Sequence, residues 1–520
     1  MSQSIRIRFA ASLVANTLRA GISFATGLLL ARWLGPTDYG RMAFLLASFV
    51  AFRQLLDMGS STAFFTFLSQ RPRSRRFITL YWRWLGLLLV LTAGVIEFLL
   101  PDSLLERLWK GESRTLVLLA FVAAFMQSSA WLIASQMAEA DRQTVRVQRL
   151  GAAAVGVYCT AVIALWLVGN LTIATLFVAL AVIWALASRV AARLYRSQPD
   201  PGASSAVSTD TAGTIWREFW RYCLPFVPYA WLGFAHDFAN RWMLQHWGGA
   251  VEQAYYAVAA QFSAVALLAT TSVLQILWKE IAEAHHREDR ARVEMLYRRA
   301  CRALYFLGVA AACGLLPWSM DILRLTVGNG YTGGAAALGL MFLYIAHQSV
   351  GQISGTMLYA TGQTRVQMMV GIGGMLASLL GAYFTMAPGS APIPGLGLGS
   401  RGLAYELVVV QIVQVNLQVW AISRVFGWKY DWSYQIAALA LAAPIGWCVR
   451  FCVLALFGMP GWTTMIIALS VHLAFVGGAL YLMPRLAGLD QSEFLAIARG
   501  PMQWLCMTLA WKKQPPAGQA

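Results

Sequence analysis

Residues 31–70 read ARWLGPTDYGRMAFLLASFVAFRQLLDMGSSTAFFTFLSQ. Two apolar runs meet there at a short polar turn. Gly35 supplies backbone freedom, Pro36 fixes φ, and Asp38 can cap a helix beginning near Tyr39 or Gly40. The second run then places Arg53 and Asp57 one helical turn apart within apolar sequence. Charge is costly in hydrocarbon, so such a pair faces a bundle interior or a watery cavity.

Outward from this segment the whole chain has the same character. Of its 520 residues 58% are hydrophobic and only 12% charged, the composition of a polytopic membrane protein. About twenty apolar residues cross a bilayer as a helix, and the apolar content suffices for about fourteen such spans. The fold class expected is therefore all-α with about 14 transmembrane helices. The net charge of +17 follows this topology. Lys and Arg crowd the amino end, Ser69–Arg76, Ala138–Arg149, the connections between spans six and seven and between eight and nine, and the tail. The opposite connections hold only Arg32, Arg41, Arg107, Lys110, Arg114, Arg324 and Arg401. That asymmetry places both termini in the cytoplasm and excludes nucleic acid as the reason for the basicity. Asn16 and Arg19 interrupt the first apolar run, which reads as a span and not as a cleaved signal.

The spans group into a 1–195 lobe, a Ser/Pro/Gly-rich linker in 196–221, a 222–426 lobe and two further spans in 427–484, followed by a 485–520 tail. Pro225 and Pro228 predict a kinked or broken seventh span. Lys279–Arg302 is expected to form an exposed basic helix, and Met502–Trp511 an interfacial one anchored by Trp504 and Trp511. At one constant offset Trp33, Gly35, Asp38 and Ala43 face Trp247, Gly249, Glu252 and Ala257. The matched turns lie on either side of the linker and support two six-helix lobes related as parallel repeats, with two extra C-terminal helices.

The motif A-R-x-L-G-P-x-D-Y-G followed by L-L-D-x-G-x-S-T-A resembles the first two helices of bacterial polysaccharide-unit flippases. These O-antigen and exopolysaccharide exporters belong to the multidrug/oligosaccharidyl-lipid/polysaccharide superfamily. The resemblance covers about forty residues and implies a flippase in the bacterial plasma membrane. Its substrate would be an undecaprenyl-pyrophosphate-linked oligosaccharide, moved from the cytoplasmic to the periplasmic leaflet by alternating access. Polysaccharide polymerase and chain-length proteins would be its partners. Many relatives read Asp-Arg at the end of the seventh span, where this chain has Asn240-Arg241, so only the arginine carries over.

Within the spans Arg19, Arg53, Arg83, Arg241 and Arg450 outnumber the acids, which predicts a cationic central cavity. The guanidinium fork suits a pyrophosphate, with Arg19, Arg53 and Arg241 the first choices. Arg53/Asp57 and Asp237/Arg241 are each spaced to share a helix face, where they can instead neutralise themselves. Gln348 and Gln352, and Gln411, Gln414 and Gln418, form amide stripes suited to sugar hydroxyls or to joining helices. Asp57 and Asp237 are the carboxylates for coupling to a proton or sodium gradient. The membrane potential alone is also a permitted drive.

No catalytic residue, metal ligand set or cofactor motif is assigned. No G-x-x-x-x-G-K-[ST] or H-E-x-x-H sequence occurs. The seven cysteines contain no C-x-x-C pair, and Cys448/Cys452 lack further ligands nearby. External connections are too short for the active site of a polymerase or ligase, the enzyme alternative. A multidrug exporter for cations should have an acidic cavity, and a peptidoglycan-precursor exporter remains the alternative within the superfamily.

Overall fold

The computed structural model describes residues 5–70, 73–195, 211–430, 432–488 and 491. Among them the chain is almost entirely helical and contains no strand. Eleven helices are long and apolar enough to cross a membrane among the described residues. The expected fourteen are not counted one by one, because the first of the eleven, Val14–Asp57, contains a break at Gly35. Large apolar side chains including Val90, Phe98, Phe451 and Leu473 stand on the outside of the protein. Such outward faces suit hydrocarbon and not water.

Two helices depart from those read in the sequence, and the seventh span is broken as its prolines predict. The span expected to run through Asp57 ends there, and a new helix, Ser60–Gln70, follows after Met58 and Gly59, both at positive φ. The seventh span consists of an amphipathic helix, Ala212–Cys223, a tight turn at Leu224–Phe226 and the helix Val227–Met243. Pro225 and Pro228 lie at the starts of the last two, where a missing N–H costs least. The basic stretch after Lys279 is no separate helix. It is shared between Gly249–His286 and Arg290–Leu315, because Glu288 takes a positive φ and Asp289 caps the second helix through Arg292 N at 3.0 Å. The 196–210 part of the linker and the interfacial helix at Met502–Trp511 lie outside the described residues.

The chain forms two compact units, the first comprising Met1–Val265, Thr326–Leu338 and Ile372–Val410. In it Gly35 has φ 72° and ψ 171°, and Gly249 has φ 78° and ψ −175°. The two positions aligned by the internal repeat thus share one backbone conformation that only glycine adopts without strain. Five residues on, Gly40 brings two helix backbones together: a Cβ there would lie 1.8 Å from the Ala250 carbonyl oxygen. Tyr331 Oη donates to Ala31 O at 2.8 Å and fixes the same corner.

The second unit comprises Ala266–Leu325, Gly339–Gly371 and Gln411–Ala520. Its core gathers Ile281, Tyr305, Val309, Ile353, Met357, Val415 and Val419. The helices Arg290–Leu315 and Trp432–Phe457 meet at Gly446, whose missing Cβ leaves room for the Cys313 carbonyl. Close approach at small residues is how helices pack where lipid removes the hydrophobic drive between them.

Candidate functional site

The polar centre of the first unit is built on the helix Val227–Met243, which spaces His236, Asp237, Asn240 and Arg241 over about one turn. Gly233 lets the opening helix, Ile5–Asp57, lay Gln54 against it; a Cβ there would stand 2.3 Å from Gln54 Oε1. Gln54 Nε2 donates to Asp237 Oδ2 at 2.6 Å. The other carboxylate oxygen meets His236 Nδ1 at 2.8 Å, and His236 Nε2 lies 2.9 Å from Ser378 Oγ and 3.2 Å from Asn240 Nδ2. With its proton on Nδ1, the imidazole donates to Asp237 and accepts from the hydroxyl or the amide.

Glu406 lies beside Ser378 and His236, on the helix Gly399–Phe426. Its side chain packs over Gly381, is 3% exposed, and has no hydrogen-bond partner on either oxygen among the described residues. A buried carboxylate without a partner is unusual and expensive, so it marks a position with work to do.

Arg241 is half-buried, its guanidinium 4.5 Å from the centre of the buried Tyr256 ring. No ion pair joins it to Asp237 among the described residues, despite their helical spacing. The ring holds the cation in place without neutralising it.

The other charged pair, Arg53 and Asp57, is also not an ion pair. Asp57 turns to the helix that follows: Oδ1 accepts from Ser61 N at 2.8 Å and Ser60 Oγ at 3.0 Å, and Oδ2 accepts from Ser61 Oγ at 2.8 Å. Ser60 also meets Tyr81 Oη at 3.0 Å. The L-D-x-G-x-S run is therefore a helix break, with the aspartate as cap and Gly59 supplying the positive φ. Arg53 is left with a buried Nε that has no hydrogen-bond partner among the described residues.

The remaining candidates lie elsewhere. Arg19 sits beside Gly151 with Glu139 as its acidic neighbour. Arg83 is exposed on the outer face. In the second unit Arg450 pairs with Asp321 at 2.6 Å, bonds Pro317 O and stacks 4.8 Å from Trp318. Gln411 and Gln418 line Gly351 there, and Gln418 Nε2 donates to Gln367 Oε1 at 3.0 Å. Gln352 keeps a buried Oε1 without a hydrogen-bond partner among the described residues; Gln348 and Gln414 are half-buried. Sequence reasoning put Asp237 and Arg241 in the site but missed Gln54, Tyr256 and Ser378 and gave Glu406 no role. Only Glu406 carried a signal, as an acid within an apolar run.

Residues 8–277, more than half of the chain, match the model of the Polysaccharide biosynthesis protein family. The chain belongs to that family. No curated sequence is significantly similar to this member. Its fold is that of the lipid II flippase MurJ in an inward closed conformation, with a TM-score of 0.70 at 12% identity over 91% of this chain and 99% of that one. A multidrug resistance MATE family transporter of the MOP superfamily, inward-facing, gives 0.58 at 14% identity over 79% of this chain and 96% of that one. A MOP superfamily transporter from Pyrococcus furiosus, described as having a binding pocket of reversed polarity, gives 0.54 at 14% identity over 81% and 96%. The family member is thus a multi-pass membrane protein with the MOP-superfamily transporter fold.

Proposed function

We propose that this protein is a flippase that moves an undecaprenyl-pyrophosphate-linked oligosaccharide unit from the cytoplasmic to the periplasmic leaflet of the plasma membrane. The unit then enters O-antigen or exopolysaccharide assembly, with polymerase and chain-length proteins downstream. The observation that carries this reading is Arg241, held on Tyr256 and left without an ion pair among the described residues. An arginine in that state offers its fork to phosphate oxygens. The family membership supports a lipid-linked saccharide as cargo, and the fold supports transport by alternating access.

Asp57 spends both oxygens on its helix cap, which favours Asp237, bonded to His236 and through it to Ser378, with Glu406 alongside, as the cation-responsive group. A coupled cation is optional. Moving one charge through 100 mV is worth about 2.3 kcal/mol, so a dianionic head leaving an inside-negative cell gains roughly twice that.

The test is the sidedness of lipid-linked glycan in cells lacking the protein, probed from outside with a lectin or glycosidase. Complete units are expected to accumulate inaccessibly, with access restored by the wild type and not by Arg241→Ala. Complete units accumulating on the outer leaflet would instead assign the protein to a later step, as a polymerase or ligase.

A further inference from the structure

The transport reading makes no use of the helix Ala212–Cys223 in the first unit. This helix packs where Ser60–Gln70 ends and the span Arg75–Leu99 begins, hence at a membrane–water boundary. Ile215 and Phe219 form its buried face, and the Phe219 ring lies against those of Phe67, Phe77 and Tyr81. Away from that face Arg217, Trp220, Arg221 and Leu224 follow one stripe, and all four are exposed. Outward Trp and Leu beside arginines suit the boundary between hydrocarbon and headgroups.

The helix carries three charges, Arg217, Glu218 and Arg221. Spacing alone would let Glu218 neutralise Arg221, three positions on. Glu218 instead turns inward, where its two oxygens accept from Arg73 Nη1 at 3.0 Å and Nη2 at 2.7 Å. The Arg73 side chain is only 1% exposed and lies between the Phe67 and Phe77 rings, 5.3 Å and 4.9 Å from their centres. Loss of its carboxylate would strand a buried charge, which commits Glu218 to Arg73. Arg217 and Arg221, one turn apart, thus form no ion pair among the described residues. Beside them an open cleft of about 500 Å³ runs along Thr214, Glu218, Phe67 and Tyr222. Its one acid is already matched by Arg73, so two uncompensated guanidinium forks face the opening.

We infer that this cleft binds the headgroup of an acidic phospholipid, with its phosphate between Arg217 and Arg221 and its acyl chains in the bilayer beside Trp220 and Leu224. Two forks at this spacing suit phosphate oxygens, and the neighbouring apolar stripe favours a phosphate carried on a lipid. The site belongs to the bilayer around the protein and is independent of the transported cargo. The charge distribution assigns this end to the cytoplasm, where juxtamembrane basic groups meet acidic lipid.

Full-length protein in detergent is titrated with phosphatidylglycerol, with phosphatidylcholine of the same acyl chains and with inorganic phosphate, and bound lipid is counted by native mass spectrometry. Phosphatidylglycerol is expected to be retained about twenty-fivefold more tightly than phosphatidylcholine, the worth of two basic contacts. Arg217→Gln and Arg221→Gln should each lower that preference to about fivefold, and the double variant should abolish it. Both side chains are exposed, so these variants leave the buried packing intact. Arg217→Lys combined with Arg221→Lys should keep the preference. Arg401→Gln, which removes an exposed arginine elsewhere in the unit, should leave it unchanged and controls for net charge. Equal retention of the two lipids, an undiminished preference in the double Gln variant, or the same loss in Arg401→Gln overturns the inference. So does displacement by inorganic phosphate, which would make the cleft a free-anion site, or by undecaprenyl pyrophosphate, which would make it a station for cargo. Because binding is read without transport, a failed flippase assay leaves this result standing, and the reverse holds as well.

Discussion

Gln54 and Asp237 stand 183 positions apart and are joined by a 2.6 Å hydrogen bond. That bond ties the polar face of the opening helix to the helix that carries Arg241, and Gly233 makes the approach possible. Asp237→Ala strips an acceptor from both Gln54 and His236. The expected cost is about 1.5 kcal/mol, since the side chain is half exposed and water recovers part of the loss. Asp237→Asn retains an acceptor oxygen and should cost less. Thermal unfolding of the purified proteins in one detergent orders the three; a melting temperature for Asp237→Ala at or above that of Asp237→Asn would contradict the bond's role.

Asp57 receives Ser61 twice, through N and Oγ, each at 2.8 Å. The carboxylate therefore acts as a helix cap, and Asp57→Ala should destabilise by about 1 kcal/mol while Asp57→Asn, itself a good cap, remains close to the wild type. Glycan sidedness separates this from a role in coupling. Normal export by Asp57→Asn is the expected result, and abolished export with unchanged stability would return Asp57 to the coupling groups.

These two residues show what the sequence carried and what it hid. The apolar runs, the Gly35 turn, the proline break at 225–228 and the aligned Gly249 were legible, because each depends on local chemistry that a single segment displays. The partner chosen by a side chain was not. Arg53/Asp57 and Asp237/Arg241 have the same helical spacing, yet each aspartate bonds elsewhere: Asp57 forward to a helix start, Asp237 across to Gln54. Spacing says which groups can meet, whereas the break at Met58–Gly59 and the gap at Gly233 decide which do. Glu406 and Ser378 reach the site only through tertiary packing, and Ser378 lies in a run whose composition distinguishes it from nothing.

Gly40 tests the packing of the opening turn. A methyl group at this position would collide with the Ala250 carbonyl oxygen, which is backbone and cannot rotate away. Gly40→Ala should cost about 3 kcal/mol or more, near the upper end for overpacking, and folded yield should collapse. Gly21 is the control: it is helical, and an added methyl group would meet nothing within 4 Å, so Gly21→Ala should be neutral or stabilising by up to about 1 kcal/mol. Size-exclusion profiles of the two variants, expressed side by side, read the difference directly.

Glu406 separates stability from transport most sharply. Among the described residues neither carboxylate oxygen has a hydrogen-bond partner, so Glu406→Gln keeps the shape of the side chain and removes a buried group that can carry charge. Unfolding in detergent should be unchanged or move to higher temperature, the behaviour of an uncompensated buried charge when it is neutralised. Export should respond in the opposite direction. If Glu406 and Asp237 act as one unit through His236 and Ser378, Glu406→Gln and Asp237→Asn should each slow the appearance of surface-accessible glycan about tenfold, and the double variant should be no slower than either. Losses that multiply in the double variant would mean two independent groups, and full export by Glu406→Gln would leave this carboxylate without a part in the cycle.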